Sequence, residues 1–152
     1  AAELLGVRRA NVGDVGFTLE DVDLAMSPIC ARLIRGLDLD EIRRRRRRNY
    51  ALLDRQLDPR VRRVFPGLDD GVCPLFFPIL ADDKPAAARA LRRAGVDALE
   101  FWNDSAEGGG EMAAGARFLR RHVLELPIHQ DVSDRQIAHI ARQVNRVVRS
   151  PA

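Results

Sequence analysis

The stretch "LDEIRRRRRRNYALLDRQL", residues 39 to 57, constrains the fold of this chain more than any other. Leu39, Ile42, Tyr50, Leu53 and Leu57 fall along one helical line, and Arg46 completes its alternating three-and-four spacing. The pattern predicts one long helix beginning at Asp38, with Asp38, Asp40 and Glu41 near the positive end of its dipole. Six successive residues at about 100° each wrap a helix more than once, so Arg43 to Arg48 cannot form a one-sided basic stripe. Most of the run must face solvent or separate partners, while Arg46 sits on the core-side line. A half-buried guanidinium there needs a carboxylate, a phosphate or a carbonyl.

Composition matters mainly for what it excludes. A chain of 152 residues, 46% of them hydrophobic, can bury one core, so one compact domain with an appended arm is expected. The net charge of +3 comes from 25 basic and 22 acidic residues, and outside the arginine run 19 basic groups face those 22. Basicity is therefore local. Lys84 is the only lysine, a bias that fits a GC-rich coding background better than selection for phosphate contacts. Only Tyr50 follows the run, so the interleaved aromatics of a single-strand binder are missing and nucleic-acid binding is not favoured. No apolar run approaches the roughly 18 residues of a membrane span, and the N-terminus lacks the order of a signal peptide. A cytoplasmic chain that binds no membrane is expected. Cys30 and Cys73 lie far apart, outside any metal spacing, and read as reduced, buried small hydrophobes.

Residues 1 to 17 read as a loosely ordered lead-in. Thr18 suits the cap of a short helix over Leu19 to Ala25, and Ser27-Pro28 starts another that stops at Gly36. Beyond the long helix, Pro59 is a stop and the prolines and glycines of 66 to 71 read as loop. Val72 to Leu80 reads as a buried strand whose prolines sit at an edge or bulge. A helix over Ala86 to Ala94 closed by Gly95, a strand over Val96 to Trp102, a helix near Glu111 to Arg121 and a short strand in "VLELPIH" follow. Ser133 to Val148 is the last helix, with Ser133 and Gln136 as a capping box and a stripe of Ile137, Ile140, Ala141, Val144 and Val148. The expected fold is a small α/β domain, residues 37–150, with a short three-stranded sheet packed by helices. The Arg-rich helix leads into it and residues 1–36 form an N-terminal arm.

Residues able to carry chemistry are few. His122, His129 and His139 share no helical face, so no metal site is expected. Ser105 and Ser133 lack a nucleophile elbow, and capping explains Ser133. Asp69 with Asp70, and Asp82 with Asp83, read as solvated turn carboxylates. Gly108, Gly109 and Gly110 precede a helix start whose N–H groups could hold an anion, but a flexible loop explains them as well. Lys84 could form a Schiff base, yet beside two aspartates and a proline it reads as a surface turn.

Four segments together resemble the C-terminal small domain of the DegT/DnrJ/StrS family of pyridoxal-phosphate-dependent aminotransferases. They are "RRNYALLDRQL" (47 to 57), "CPLFFPILADD" (73 to 83), "LRRAGVDALEFW" (91 to 102) and "LELPIHQDVSDRQIAHIARQV" (124 to 144). The resemblance implies that the chain is a small-domain portion of such an enzyme, acting on a sugar nucleotide or a similar amino-group acceptor. It implies pyridoxal phosphate in the complete protein, held by a large cofactor-binding domain, and a homodimer. The long helix would cross a domain interface, with Arg46, Arg48 and Tyr50 as interface residues. Trp102, Asn103, the Gly108 to Gly110 loop and His129 are the residues expected to touch substrate. The family's cofactor-bearing lysine and the acidic partner of the cofactor ring match no residue here, and "DVDLAMSPICA" retains only Met26 of the neighbouring motif. No catalytic residue is therefore expected in this segment, no bound cofactor, and no activity when it is alone. The competing reading is a stand-alone basic nucleic-acid-binding or regulatory module that uses the Arg43 to Arg48 helix.

Overall fold

The structure, a computed structural model, describes Leu19, residues 22–100 and residues 113–148. The chain divides into two compact units, Ala1–Leu37 and Asp38–Ala152.

In the first unit, helix α1 spans Pro28–Arg35. Ser27 caps it by accepting the Cys30 N–H at 3.2 Å, Pro28 occupies its first turn and Gly36 ends it. Of the short helix expected over Leu19 to Ala25, the described residues show a Val22-to-Leu19 bond closing one turn and no helix over 22–25. Pro28 drives the residue before it into extended backbone, and so short a segment cannot offset the cost of nucleating a helix. Cys30 is free but exposed on α1, and Cys73 is free and exposed in a loop, so neither is the buried hydrophobe expected. Each lies on an element that presents little to the core.

The second unit opens with α2, Leu39–Gln56, capped by Asp38, whose Oδ1 accepts the Glu41 N–H at 2.8 Å. Its inward line behaves as the spacing predicts over the second half: Tyr50, Leu53 and Leu57 are buried, with Leu53 fully so. Leu39, at the other end of that line, is exposed. Strand β1 is the dipeptide Arg62–Arg63, followed by β2 Phe76–Leu80, α3 Lys84–Arg93, α4 Ala114–His122, β3 Val123–Pro127 and α5 Asp134–Val147. The sheet is antiparallel in the order β1-β2-β3, with Arg62 opposite Leu80 and Phe76 opposite Pro127. This is the small α/β domain with a three-stranded sheet that the sequence implies.

Two details of the sheet differ from expectation. The segment expected as a strand from Val96 contributes, among the described residues, only a bridge in which Leu99 and Glu125 exchange two 3.0 Å bonds. The third strand is instead β1, whose two residues are held by tertiary bonds. The Arg63 guanidinium donates to the carbonyls of Asp54, Leu57, Asp58 and Val61 and to the Asp54 carboxylate, so one side chain gathers carbonyls from the last turn of α2 and the residues just after it. The prolines were expected at an edge or bulge, yet Pro78 lies in the middle strand. Glu125, opposite Pro78, directs its backbone groups away to Leu99, so β3 asks nothing of the missing N–H. The Pro78 carbonyl takes the Val64 N–H at 3.3 Å on its other side.

Phe77, Ile79, Leu124 and Leu126 of one sheet face share one core with side chains of α2, α3 and α5, and the tilted rings of Tyr50 and Phe77 have centres 4.4 Å apart. Gly95 at φ 78° ends α3, with the Val96 N–H returning to Leu91 and the Gly95 N–H to Arg92, the paired bonds of a left-handed helix stop. The Ser133–Gln136 capping box is present, and Ile137, Ile140, Ala141 and Val144 of α5 are buried.

Candidate functional site

The arginine run meets the rest of the unit one residue at a time. Arg43 pairs with Asp40, while Arg44 and Arg45 share Glu41 at 2.8 and 2.7 Å, all in solvent. Arg47 donates to the carbonyls of Asp69 and Val72 at 2.7 and 2.8 Å and lies 3.5 Å from the Asp70 carboxylate, which ties down the loop before β2. Arg46, half-buried on the inward line, finds a side-chain carbonyl, donating through Nε to Gln130 Oε1 at 3.0 Å. Arg48 pairs with Asp134, and this bond holds the Asp134 carboxyl below the usual range.

Two of these contacts lie close together, Arg46 reaching Gln130 in the loop between β3 and α5 and Arg48 reaching Asp134 at the start of α5. Asn49, 1% exposed, directs its amide group at that loop, with His129 O at 3.0 Å, Val132 O at 3.1 Å and Ile128 O at 3.4 Å. An amide has two hydrogens, so His129 and Val132 take the main bonds and Ile128 a shared one. At the apex the Asp131 N–H donates to His129 Nδ1 at 3.3 Å, and Gln130 Nε2 donates to Asp131 Oδ2 at 3.1 Å. Nδ1 also lies 3.8 Å from Asp131 Oδ2, and in the neutral ring that accepts the Asp131 N–H the proton sits on Nε2. The ring itself is exposed.

His129 is thus the one substrate-contact candidate that lies among the described residues. Trp102, Asn103, Gly108, Gly109 and Gly110 lie outside them. Of the expected interface residues, Arg46 and Arg48 have the partners given above, and Tyr50 is a core residue, its hydroxyl pKa raised by burial. His122 donates through Nδ1 to Ala81 O at 2.9 Å, and His139 through Nε2 to Ala94 O at 2.8 Å, so both tie helices to neighbouring segments. Among the described residues no group of His, Cys, Asp and Glu could hold a metal ion, and no helix is long and apolar enough to cross a membrane.

A second polar cluster lies at the sheet. Lys84, only 2% exposed, donates through Nζ to Arg120 O at 2.9 Å, joining the start of α3 to the end of α4. It is not the surface turn expected, because α4 closes over it. Burial lowers its pKa, against the opposing pull of Glu100 and Glu125. Glu125, 4% exposed in β3, is pushed up to about 7 by desolvation, which the nearby Lys84 charge only partly offsets. Glu100 is engaged by Arg92 at 3.0 Å. A lysine that carries a cofactor must offer its amine to an incoming aldehyde. Lys84 is packed away and bonded to a carbonyl, so it does not fit that role.

No family model matches the sequence, and no curated protein matches it either. Solved structures do. The sugar aminotransferase CalS13 from Micromonospora echinospora aligns with a TM-score of 0.60 at 23% identity, over 72% of this chain and 31% of its own. The aminotransferase TlmJ from Streptoalloteichus hindustanus aligns with 0.63 at 26% identity, over 77% and 34%. A DegT DnrJ EryC1 StrS aminotransferase from Brucella abortus aligns with 0.59 at 17% identity, over 72% and 32%. The chain spans about a third of the length of each. The chain therefore shares its fold with part of the DegT/DnrJ/EryC1/StrS-type aminotransferases, the family its sequence resembles.

Proposed function

We propose that this chain is the C-terminal small-domain portion of a pyridoxal-phosphate-dependent aminotransferase whose complete form acts on a sugar nucleotide or a similar amino-group acceptor. The observation that carries this reading is the fold shared with three aminotransferases, one of them described as acting on sugars, over about a third of their length. The chain alone is inactive, because its only lysine is buried against Arg120 O. The cofactor belongs to a separate large domain, and the apolar residues Ile29, Leu33 and Ile34 exposed on α1 are surface for that domain or for a second copy in a homodimer. Two exposed, unbridged cysteines suit a reducing cytoplasm. A phosphate-binding role for the arginine run has less to draw on, since each of the six already has a partner in the chain.

Titration of the purified chain with pyridoxal phosphate tests the reading. No visible absorbance band that depends on Lys84 is expected. A band present in the wild type and lost in Lys84→Ala would place a cofactor site on this chain and overturn it.

A further inference from the structure

The apex of the 128–134 loop is fixed more thoroughly than an exposed turn requires. Its backbone is held from below by a buried amide, because Asn49 Nδ2 lies 3.0 Å from the carbonyl of His129 and 3.1 Å from that of Val132. Its side chains are held from the side by a hydrogen-bonded series. Arg46 Nε donates to Gln130 Oε1 at 3.0 Å, Gln130 Nε2 to Asp131 Oδ2 at 3.1 Å, and the Asp131 N–H to His129 Nδ1 at 3.3 Å. The series starts on one half-buried side chain of α2 and ends on an exposed imidazole, while the backbone fastening comes from Asn49 on the same helix. Asn is a poor choice inside a helix and costly to bury unless its donors are used. Its place at 1% exposure is explained by the carbonyls it meets.

We propose that α2 is the positioning element for His129: Asn49 fixes the backbone beneath the residue, and Arg46, acting through Gln130 and Asp131, fixes the tautomer and orientation of its ring. His129 then presents Nε2–H as a donor toward a hydrogen-bond acceptor on the substrate, such as a hydroxyl or carbonyl oxygen. Any partner that shifts α2 carries this donor with it. The proposal deepens the reading of His129 as a substrate contact and rests on it for its functional meaning. Asn49 and Arg46 are positioning residues, since their contacts are to the loop that carries His129.

The test uses the ¹⁵N-labelled chain. Amide exchange at Val132, whose N–H donates to His129 O at 3.0 Å, reports the backbone fastening, and the ring nitrogens of His129 report the tautomer. In Asn49→Ala, exchange at Val132 is expected to rise at least tenfold while Leu124 and Leu126 in β3 stay within twofold of the wild type. In Gln130→Ala, the ring signals are expected to move from the Nε2–H tautomer toward a mixture while Val132 keeps its protection. Equal acceleration of every amide in Asn49→Ala would make Asn49 an ordinary core residue and overturn the proposal. So would His129 ring signals in Gln130→Ala that match the wild type, a result that can be read even if Asn49→Ala does not fold. Unchanged turnover of the complete protein carrying His129→Ala would instead remove the substrate-contact reading, leaving the positioning result intact.

Discussion

Replacing Glu125 by glutamine should make the domain more stable at pH 8 and leave it nearly unchanged at pH 5. Glu125 is 4% exposed in β3, opposite Pro78 and bridged to Leu99, and desolvation raises its carboxyl from 4.5 to about 7 in spite of Lys84. A raised folded-state pKa contributes stability that is complete below the unfolded value and is lost as the pH climbs through the folded one. The window therefore runs from about pH 4.5 to just above pH 7. A shift of about 2.5 units at about 1.4 kcal/mol per unit sets a ceiling near 3 kcal/mol, of which about 2–3 kcal/mol falls between pH 5 and pH 8. Glutamine keeps the shape and has no charge to desolvate, so it escapes this loss. Urea unfolding followed by circular dichroism at pH 5, 6, 7 and 8 reads the difference directly. A stability gap between variant and wild type that opens steadily with pH is the expected result. Parallel profiles would show that Glu125 does not titrate in this window and would refute the argument from burial.

Two further substitutions probe the parts that shape the sheet. Arg63→Lys keeps the charge but loses the planar fork that reaches four carbonyls and the Asp54 carboxylate, and should cost about 1–3 kcal/mol in the same unfolding assay. A variant as stable as the wild type would mean that water serves the end of α2 equally well. Gly95→Ala places a side chain at φ 78°, where nothing lies within 4 Å of the added Cβ, so the penalty of about 1–2 kcal/mol is purely conformational. A neutral result would show that α3 can end without a left-handed residue.

The helices were legible because their signals are local. Leu53 on α2 and Leu57 at its C-terminal cap, the Ser133–Gln136 box on α5 and Gly95 after α3 each act through neighbours within about one helical turn. The strands were less so. Arg62 and Arg63 form β1 only because Leu80 and Ile79 lie opposite and α2 offers its carbonyls, and no periodicity in two residues could announce that. Leu99 shows the converse, since a β-rich segment from Val96 gains just one bridge among the described residues. The candidate site divides the same way. His129 stood out by residue type and by its place after a strand, whereas Asn49 meets carbonyls 79 to 83 positions away. Its one local signal was a weak helix former in the middle of a strong helix. Lys84 looked like a surface charge, and Glu125 carried no signal at all, because only α4 and the sheet, assembled, take water from them.

The arginine run has one more consequence, for how such a tract can be copied and compared. Written out, it is six identical letters in which any one could be exchanged for the next. Folded, Arg46, Arg47 and Arg48 address Gln130, the carbonyls of Asp69 and Val72, and Asp134, so neighbouring arginines serve separate residues before β2 and after β3. A seventh arginine inserted in the tract would hardly alter composition, yet it would turn everything before it by about 100° relative to Asn49 and Tyr50. Leu39 and Ile42 would then leave the line they share with Leu53. The tract is thus uniform in spelling and fixed in reading frame, and an alignment that slides along it by one letter equates positions with different neighbours.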